Sequence, residues 1–574
     1  MWRATLRVAS QSSTKTARLR AQSTRPNQEE LASLRDVETN PVLVRHFRQT
    51  VLWPLLLVPQ KETSKLQRHW EALGSIERDN AWRELIEEFQ CDPQDFRERS
   101  YREFVTFLPF VQRFLYGSKV GIDPARREGE PSLRIYRRGD IRKVVITYSD
   151  GSSLTFNVGI VDLYFFLDAD IMLLAFEIFI DDIPLERAQD TMFRFGRAYP
   201  GFWDDTGEGA NCPRRVEWLD AQGAVRAVSD YGERRRYLEH VGRHRTARLA
   251  AHWEYLLEPL LPADSLEIGS LRFRPLEYYR MPFLAYLAVD DPKSLSRADF
   301  VRLALATQPG ERDVPPYSEQ SLATFEKDYC EDRYWNRPRA DTRFVVSGRV
   351  LGMVGRHGDP FFNGPETGVL GQFRHQYLLL FLIAHFHRAA LLSMSDQLAV
   401  AMNRLEIGDT ESVKSFKRAI RQAMEIFLRF THRYWYHEVS NQDFARSVFE
   451  KLRHHLGIEV LYDEMRQEMM DMNGYLDSDA LRRQSNTILR LTVVTIMAMI
   501  GTIATGFLGM NVIAEADKPL LWRVILFLVT LAATGLVTVF TIARSKRLAD
   551  FLDALSDDRL SWREKWLVLI GKIR

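Results

Sequence analysis

The stretch Leu491–Ala514, LTVVTIMAMIGTIATGFLGMNVIA, decides how the chain is read. Its 24 residues carry no charge, and at 1.5 Å per residue they make a helix of about 36 Å, enough for a hydrocarbon core of about 30 Å. A second uncharged stretch, Val524–Ala543 (VILFLVTLAATGLVTVFTIA), follows after a short connection. Two spans joined so closely form an antiparallel hairpin with both ends on one side of the membrane. Arg482, Arg483 and Arg490 precede the hairpin and Arg544, Lys546 and Arg547 follow it, against Lys518 and Arg523 in and beside the loop. Basic residues stay on the cytoplasmic side, so both termini are expected there.

Composition alone conceals these spans. The 574 residues, 45% hydrophobic and 27% charged, describe an ordinary soluble protein of three or four domains. The 78 basic and 76 acidic residues leave a net charge of +2, which argues against a general nucleic-acid binder. Cys91, Cys212 and Cys330 are scattered with no metal or redox spacing, as in reduced thiols of a cytosol-facing domain. The first 30 residues are a basic tail, with Arg3, Arg7, Lys15, Arg18, Arg20 and Arg25 and no acid before residue 28. They read as a disordered tail of a bacterial protein, or alternatively as a mitochondrial presequence.

Upstream of the spans the expected organisation is α+β: an N-terminal cytoplasmic α/β domain over residues 31–340, and a helical domain with a stalk helix over 341–490. The hairpin occupies 491–543, and 544–574 is a C-terminal amphipathic helix. From Leu31 to Tyr116 the apolar spacing predicts helices, with Trp70, Leu73, Ile76, Trp82, Leu85, Ile86 and Phe89 on one face. From Ser132 the alternation and glycine turns predict strands and hairpins. The runs LYFFLDAD and MLLAFEIFIDD are strands too short to span a bilayer, followed by a helix up to Phe195.

The acids gathered there, Asp162, Asp168, Asp170, Asp181 and Asp182, read as strand-end and cap residues rather than a catalytic or metal cluster. Gly348, Gly352, Gly355 and Gly358 fit a glycine-rich hairpin and match no phosphate-cradle pattern. His385 and His387, two apart, and the adjacent His454 and His455 do not require zinc. Phe373–Leu392 reads as a buried core helix, because its uninterrupted apolar centre is too short to cross a bilayer. Phe416–Tyr436 is an amphipathic helix, and another begins near Asn441.

The helix ahead of the first span bears an apolar seam: Phe444, Val448, Leu452, Leu456, Val460, Met465, Met469, Met472 and Leu476. If continuous with the span it reaches about 100 Å, with Gly457 and Gly474 as weak points, and needs partner helices. In the first span Leu491, Thr495, Met499, Thr502 and Gly506 share one face, which serves either helix packing or a wetted pathway.

Gly509-Met510-Asn511 at the outer end of the first span, the hairpin close to the C-terminus, the long charged helix leading into it and the basic Arg544-Ser545-Lys546-Arg547 after it resemble the CorA family of divalent-cation channels. The resemblance implies a funnel-shaped homopentamer whose first spans surround a pore. Gly509, Met510 and Asn511 would form the selectivity filter, with Asn511 as the ring residue, and Leu491, Thr495, Met499, Thr502 and Gly506 the pore lining. It implies passive magnesium influx gated by the cytoplasmic domain, in a bacterial inner membrane or alternatively a mitochondrial one. It also implies no enzymatic activity, no organic cofactor and no nucleic-acid partner, with the chain's own copies and the bilayer as partners. Glu515 and Asp517 are acids at the outer mouth. Glu464, Glu468, Asp471, Asp477 and Asp479 on the stalk could sense internal magnesium. Leu508 departs from the family's usual aromatic residue before the motif. Two alternatives stand: a membrane-anchored sensor or enzyme whose hairpin is only a tether, and a CorA-like transporter of zinc, cobalt or nickel.

Overall fold

A computed structural model describes residues 42–58, 68–76, 80–85, 97–118, 129–266, 271–276, 279–337, 341–403, 410–509, 519–525, 527–529, 532–537 and 540. Among these residues the strands join into one sheet. Its main path runs β12 (Cys330–Glu331), β13 (Arg343–Val346), β14 (Val350–Arg356), β11 (Phe283–Val289), β1 (Leu43–Val58), β6 (Ile171–Pro184), β5 (Ser153–Phe166), β4 (Lys143–Thr147), β7 (Arg215–Leu219), β8 (Val225–Val228). Off this path, β10 (Arg272–Pro275) pairs β1 and β9 (Leu261–Pro262), while β3 (Leu133–Arg138) joins β2 (Trp82–Glu84) to β5. All pairs are antiparallel except β11 with β14 and β9 with β10.

Of the helices expected between Leu31 and Tyr116, Glu98–Thr106 and Pro109–Tyr116 form, but the long central strand β1 corrects the expectation for the start of this region. Residues 51–57 are all buried, because both faces of the sheet are covered here, so the alternation that marks a strand is lost. Pro54 sits inside this strand without breaking the ladder. Even-numbered amides of β1 point away from β6, as Leu52 N–H does to the Pro282 carbonyl. On that side the partner changes from β11, paired through Val51, to β10, paired from Leu55, and Pro54 falls in the gap between them. The supposed helical face from Trp70 to Phe89 is likewise divided: His69–Gly74 is helical, but Trp82 opens β2.

The strands read from LYFF and MLLAFEIFIDD are β5 and β6, and the helix after them is α1 (Leu185–Arg194). The glycine-rich segment is the β13–β14 hairpin, which extends the sheet past the boundary expected at residue 340. One face of the sheet buries a core around Trp53, Trp218, Trp253 and Phe176. The other is covered by α2 (Leu378–Asn403), whose Phe386 stacks on Phe166 of β5 with centroids 3.9 Å apart. Apolar enough to cross a membrane, α2 is instead the buried core helix expected, with His385 and His387 fully enclosed.

Three further helices follow: α3 (Thr410–Arg433), α4 (Asp443–Leu456) and α5 (Ile458–Gly509). The seam from Phe444 is therefore not one helix. Gly457, with φ 63°, turns the chain between α4 and α5 in the left-handed conformation that favours glycine. Gly474 interrupts nothing. The 52 residues of α5 make a rod of about 78 Å, rather than the 100 Å expected from a start near Asn441. A further helix, α6 (Leu520–Val537), is exposed, apolar and of spanning length.

Candidate ion pathway and its stalk

Among the described residues, the beginning of α5 is the part held by the sheet-and-helix body. Ile458, Met465 and Met469 are buried in the core beside α2, α3 and α4, whereas Val460, Met470, Leu481 and Ile488 are exposed. Tyr462 stacks on Trp435, with centroids 4.0 Å apart and planes 13° from parallel. The Arg453 guanidinium lies 5.0 Å from the Trp435 ring, donates to the His437 carbonyl at 2.7 Å and pairs with Glu459 at 2.5 Å. Arg388 of α2 donates to the Leu456 carbonyl at the turn. The stalk is thus pinned at its base, and sequence spacing does not show this, since Trp435 and Tyr462 lie on different elements with α4 between them.

Farther along, α5 meets α6. A Cβ built on Gly501 would lie 2.4 Å from Cγ2 of Thr534, so the two helices approach closely there. Among the residues of this part of α5 whose burial is described, Val493 and Gly501 are the buried ones. Leu491, Thr495, Met499, Thr502 and Gly506 are all exposed. At 3.6 residues per turn these five fall within an arc of about 80°, while Val493 and Gly501 lie on the other side of the helix. The five positions lie on the side that α6 leaves open, together with Thr492, Ile496 and Ala498, which are also exposed.

The hydroxyls on that face have settled protons. Thr495 Oγ1 donates to the Leu491 carbonyl at 2.8 Å and Thr502 Oγ1 to Ala498 at 2.9 Å. Each oxygen keeps its lone pairs as acceptors on the open side, which suits the waters of a hydrated cation. Gly509 ends α5. Met510, Asn511, Glu515 and Asp517 lie outside the described residues, as do the tail 1–30 and residues 544–574.

The stalk acids Glu464, Glu468, Asp471 and Asp477 are exposed, and Asp479 is on the same helix. Gln467 donates to Asp471 at 3.0 Å and Asn473 to Asp477 at 3.2 Å. Among the described residues no group of three or more His, Cys, Asp or Glu is placed to hold a metal. The acids of the sheet domain are each matched by a base: Asp162 by Arg137 at 2.6 Å, Asp168 by Arg429 at 2.7 Å, Asp170 by His69 at 2.8 Å, Asp181 by His46 at 2.5 Å and Asp182 by Arg45 at 3.1 Å. The three arginine contacts are structural ion pairs, and the two histidine contacts are structural hydrogen bonds.

No curated protein matches the chain. Residues 396–547, from the end of α2 through both candidate spans, match the family model described as "CorA-like Mg2+ transporter protein". This C-terminal region, about a quarter of the chain, is thus similar to the CorA-like family of Mg2+ transporter proteins.

Proposed function

We propose that the chain forms a passive magnesium pathway as a homopentamer, with both termini in the cytoplasm of a bacterial cell. The observation that carries this reading is the open face of α5. An anchor in lipid has no need of hydroxyls and small residues turned away from its hairpin partner, whereas five copies facing one axis would line a conduit with them.

In that arrangement Asn511 holds the outer ring. Magnesium dehydrates reluctantly, so amide oxygens bind it through its waters, and the Thr502 oxygens receive it next. Rings of Met499 and Leu491 form apolar constrictions that close by dewetting. A divalent ion moving inward through 100 mV gains about 4.6 kcal/mol, enough to drive uptake without ATP. Glu515 and Asp517 concentrate cations at the mouth. The pinned base of α5 lets the cytoplasmic body act on the gate, with Glu464, Glu468, Asp471, Asp477 and Asp479 as its magnesium-sensing carboxylates at contacts between subunits.

The test is magnesium uptake into vesicles by the wild type and Asn511→Ala. Uptake by the wild type and its loss in the variant are expected. Equal flux, or none in either, would leave the hairpin a tether. Competition by zinc, cobalt and nickel in the same assay identifies the preferred ion.

A further inference from the structure

A cleft of about 950 Å³ opens beside the base of the stalk, between the helix Pro109–Tyr116 and the C-terminal end of α3 with the turn after it. Its charge is lopsided. Arg113 and Arg433 both line it, and among the described residues neither has a carboxylate partner. Glu438, the acid of the lining, sits 3.7 Å from Arg446. The Nη1 of Arg433 is buried and without a hydrogen-bond partner, and so is Nε1 of Trp435, a side chain only 8% exposed.

Beside the cations lies an exposed aromatic surface. Phe110 is 38% exposed and pairs with Tyr436 at 5.2 Å between centroids. Guanidinium groups recognise phosphate oxygens, and an open aromatic ring accepts a stacked base. The volume suits a ligand of several hundred cubic ångströms, far larger than one phosphate.

We propose that this cleft binds a nucleoside polyphosphate, its phosphates on Arg113 and Arg433 and its base on Phe110. A membrane phospholipid offers the same phosphate chemistry but cannot reach. Tyr462, stacked on the cleft's Trp435, lies 29 residues before Leu491 on one continuous helix, about 43 Å from the start of the span. The ligand is therefore a soluble anion. Because Trp435 both lines the cleft and carries Tyr462, an occupied cleft bears directly on the base of the stalk; binding itself does not depend on the transport reading.

The experiment is a calorimetric titration of the full-length protein in detergent with ATP, inorganic tripolyphosphate and adenosine, all without divalent metal. Saturable ATP binding is expected, weakened about tenfold or more in Arg113→Ala/Arg433→Ala. Tripolyphosphate should bind more weakly with the same arginine dependence, and adenosine should not bind. Phe110→Ala, at an exposed position that does not threaten folding, should weaken ATP and spare tripolyphosphate. A lack of ATP saturation, equal affinity in the arginine variant, or equal weakening of both ligands by Phe110→Ala would overturn the proposal. So would arginine-dependent binding confined to vesicles containing a phosphoinositide.

Discussion

Gly501 of α5 lies against Thr534 of α6 so closely that a Cβ at Gly501 would sit 2.4 Å from the threonine Cγ2. The approach leaves no space for a side chain, and small residues permit such contact between helices in lipid. Gly501→Ala should therefore push the helices apart at a cost of about 1–3 kcal/mol, as overpacking does. Removing the opposing methyl with Thr534→Ser should restore stability. The check is thermal melting in detergent of the single and double variants; a Gly501→Ala protein that melts like the wild type would contradict the contact. Gly506, with nothing within 4 Å of its would-be Cβ, is the control whose alanine variant keeps the wild-type melting temperature.

The open face of α5 predicts a different phenotype. Thr502→Val preserves shape and removes the oxygen, so the protein should fold and assemble normally while magnesium flux falls. One lost hydrogen bond of about 1 kcal/mol corresponds to roughly fivefold, and loss in every subunit gives at least that much. Met499→Ala should raise flux by widening an apolar constriction. Ion uptake in vesicles at matched protein content measures both. If Thr502→Val left uptake unchanged, this face would be helix-packing surface.

What was legible in the sequence depended on how each segment is covered. The apolar centre Tyr377–Ala384 reads as a core helix because charges and histidines bracket it at less than spanning length, and α2 is buried accordingly. The β5 and β6 runs read as strands for the same reason of length. By contrast, β1 is covered on both faces, so Val51–Leu57 shows no alternation, and Pro54 is accommodated because it falls between two successive partners of the strand. In the site, the period of an uncharged helix is enough to place Leu491, Thr495, Met499, Thr502 and Gly506 on one side of α5, which the helix confirms only as a shared, exposed face. The Trp435–Tyr462 stack was not, because the turn at Gly457 separates the seam of α4 from that of α5, and no local pattern links the two rings.

A buried ion pair behind the stalk domain predicts a stability effect without loss of any pore residue. Glu177 of β6 is fully buried and accepts from Arg48 at 2.5 Å and from Arg374 at 2.8 Å. Glu177→Ala leaves Arg48 enclosed without its carboxylate and should cost about 3 kcal/mol or more. Arg374, 39% exposed, can turn to water, so Arg374→Ala should cost about 1 kcal/mol. Gly159 abuts the same pair, and a Cβ there would lie 2.6 Å from the Arg374 guanidinium and 2.7 Å from the Glu177 carboxyl carbon. Gly159→Ala must therefore displace the pair, and its loss of stability should approach that of Glu177→Ala. Denaturant midpoints for the three variants test this ranking; an Arg374→Ala loss equal to that of Glu177→Ala would contradict it.

Acid should destabilise the sheet-and-helix body through its histidines before its carboxylates. Burial pushes the imidazoles of His252, His385 and His387 down to about 3, with Arg388 adding to the effect at His385 and Arg453 at His387. Unfolded, each takes a proton near 6.5. Between these values the unfolded chain binds more protons than the folded one, so stability is full above pH 6.5 and is lost as pH falls through 6.5 toward 3. Each histidine removes about 1.4 kcal/mol by pH 5.5, so the three together remove about 4 kcal/mol relative to pH 8, where carboxylates have contributed little. His387 donates from Nε2 to the Tyr434 carbonyl at 2.6 Å, which fixes Nε2 as the protonated nitrogen. Gln can donate to that carbonyl without titrating, so His387→Gln should lower the melting temperature at pH 8 yet lose about a third less stability on going to pH 5.5. Melting followed by tryptophan fluorescence at the two pH values measures the difference; identical pH dependence in variant and wild type would show that His387 is not the enclosed neutral group the fold requires.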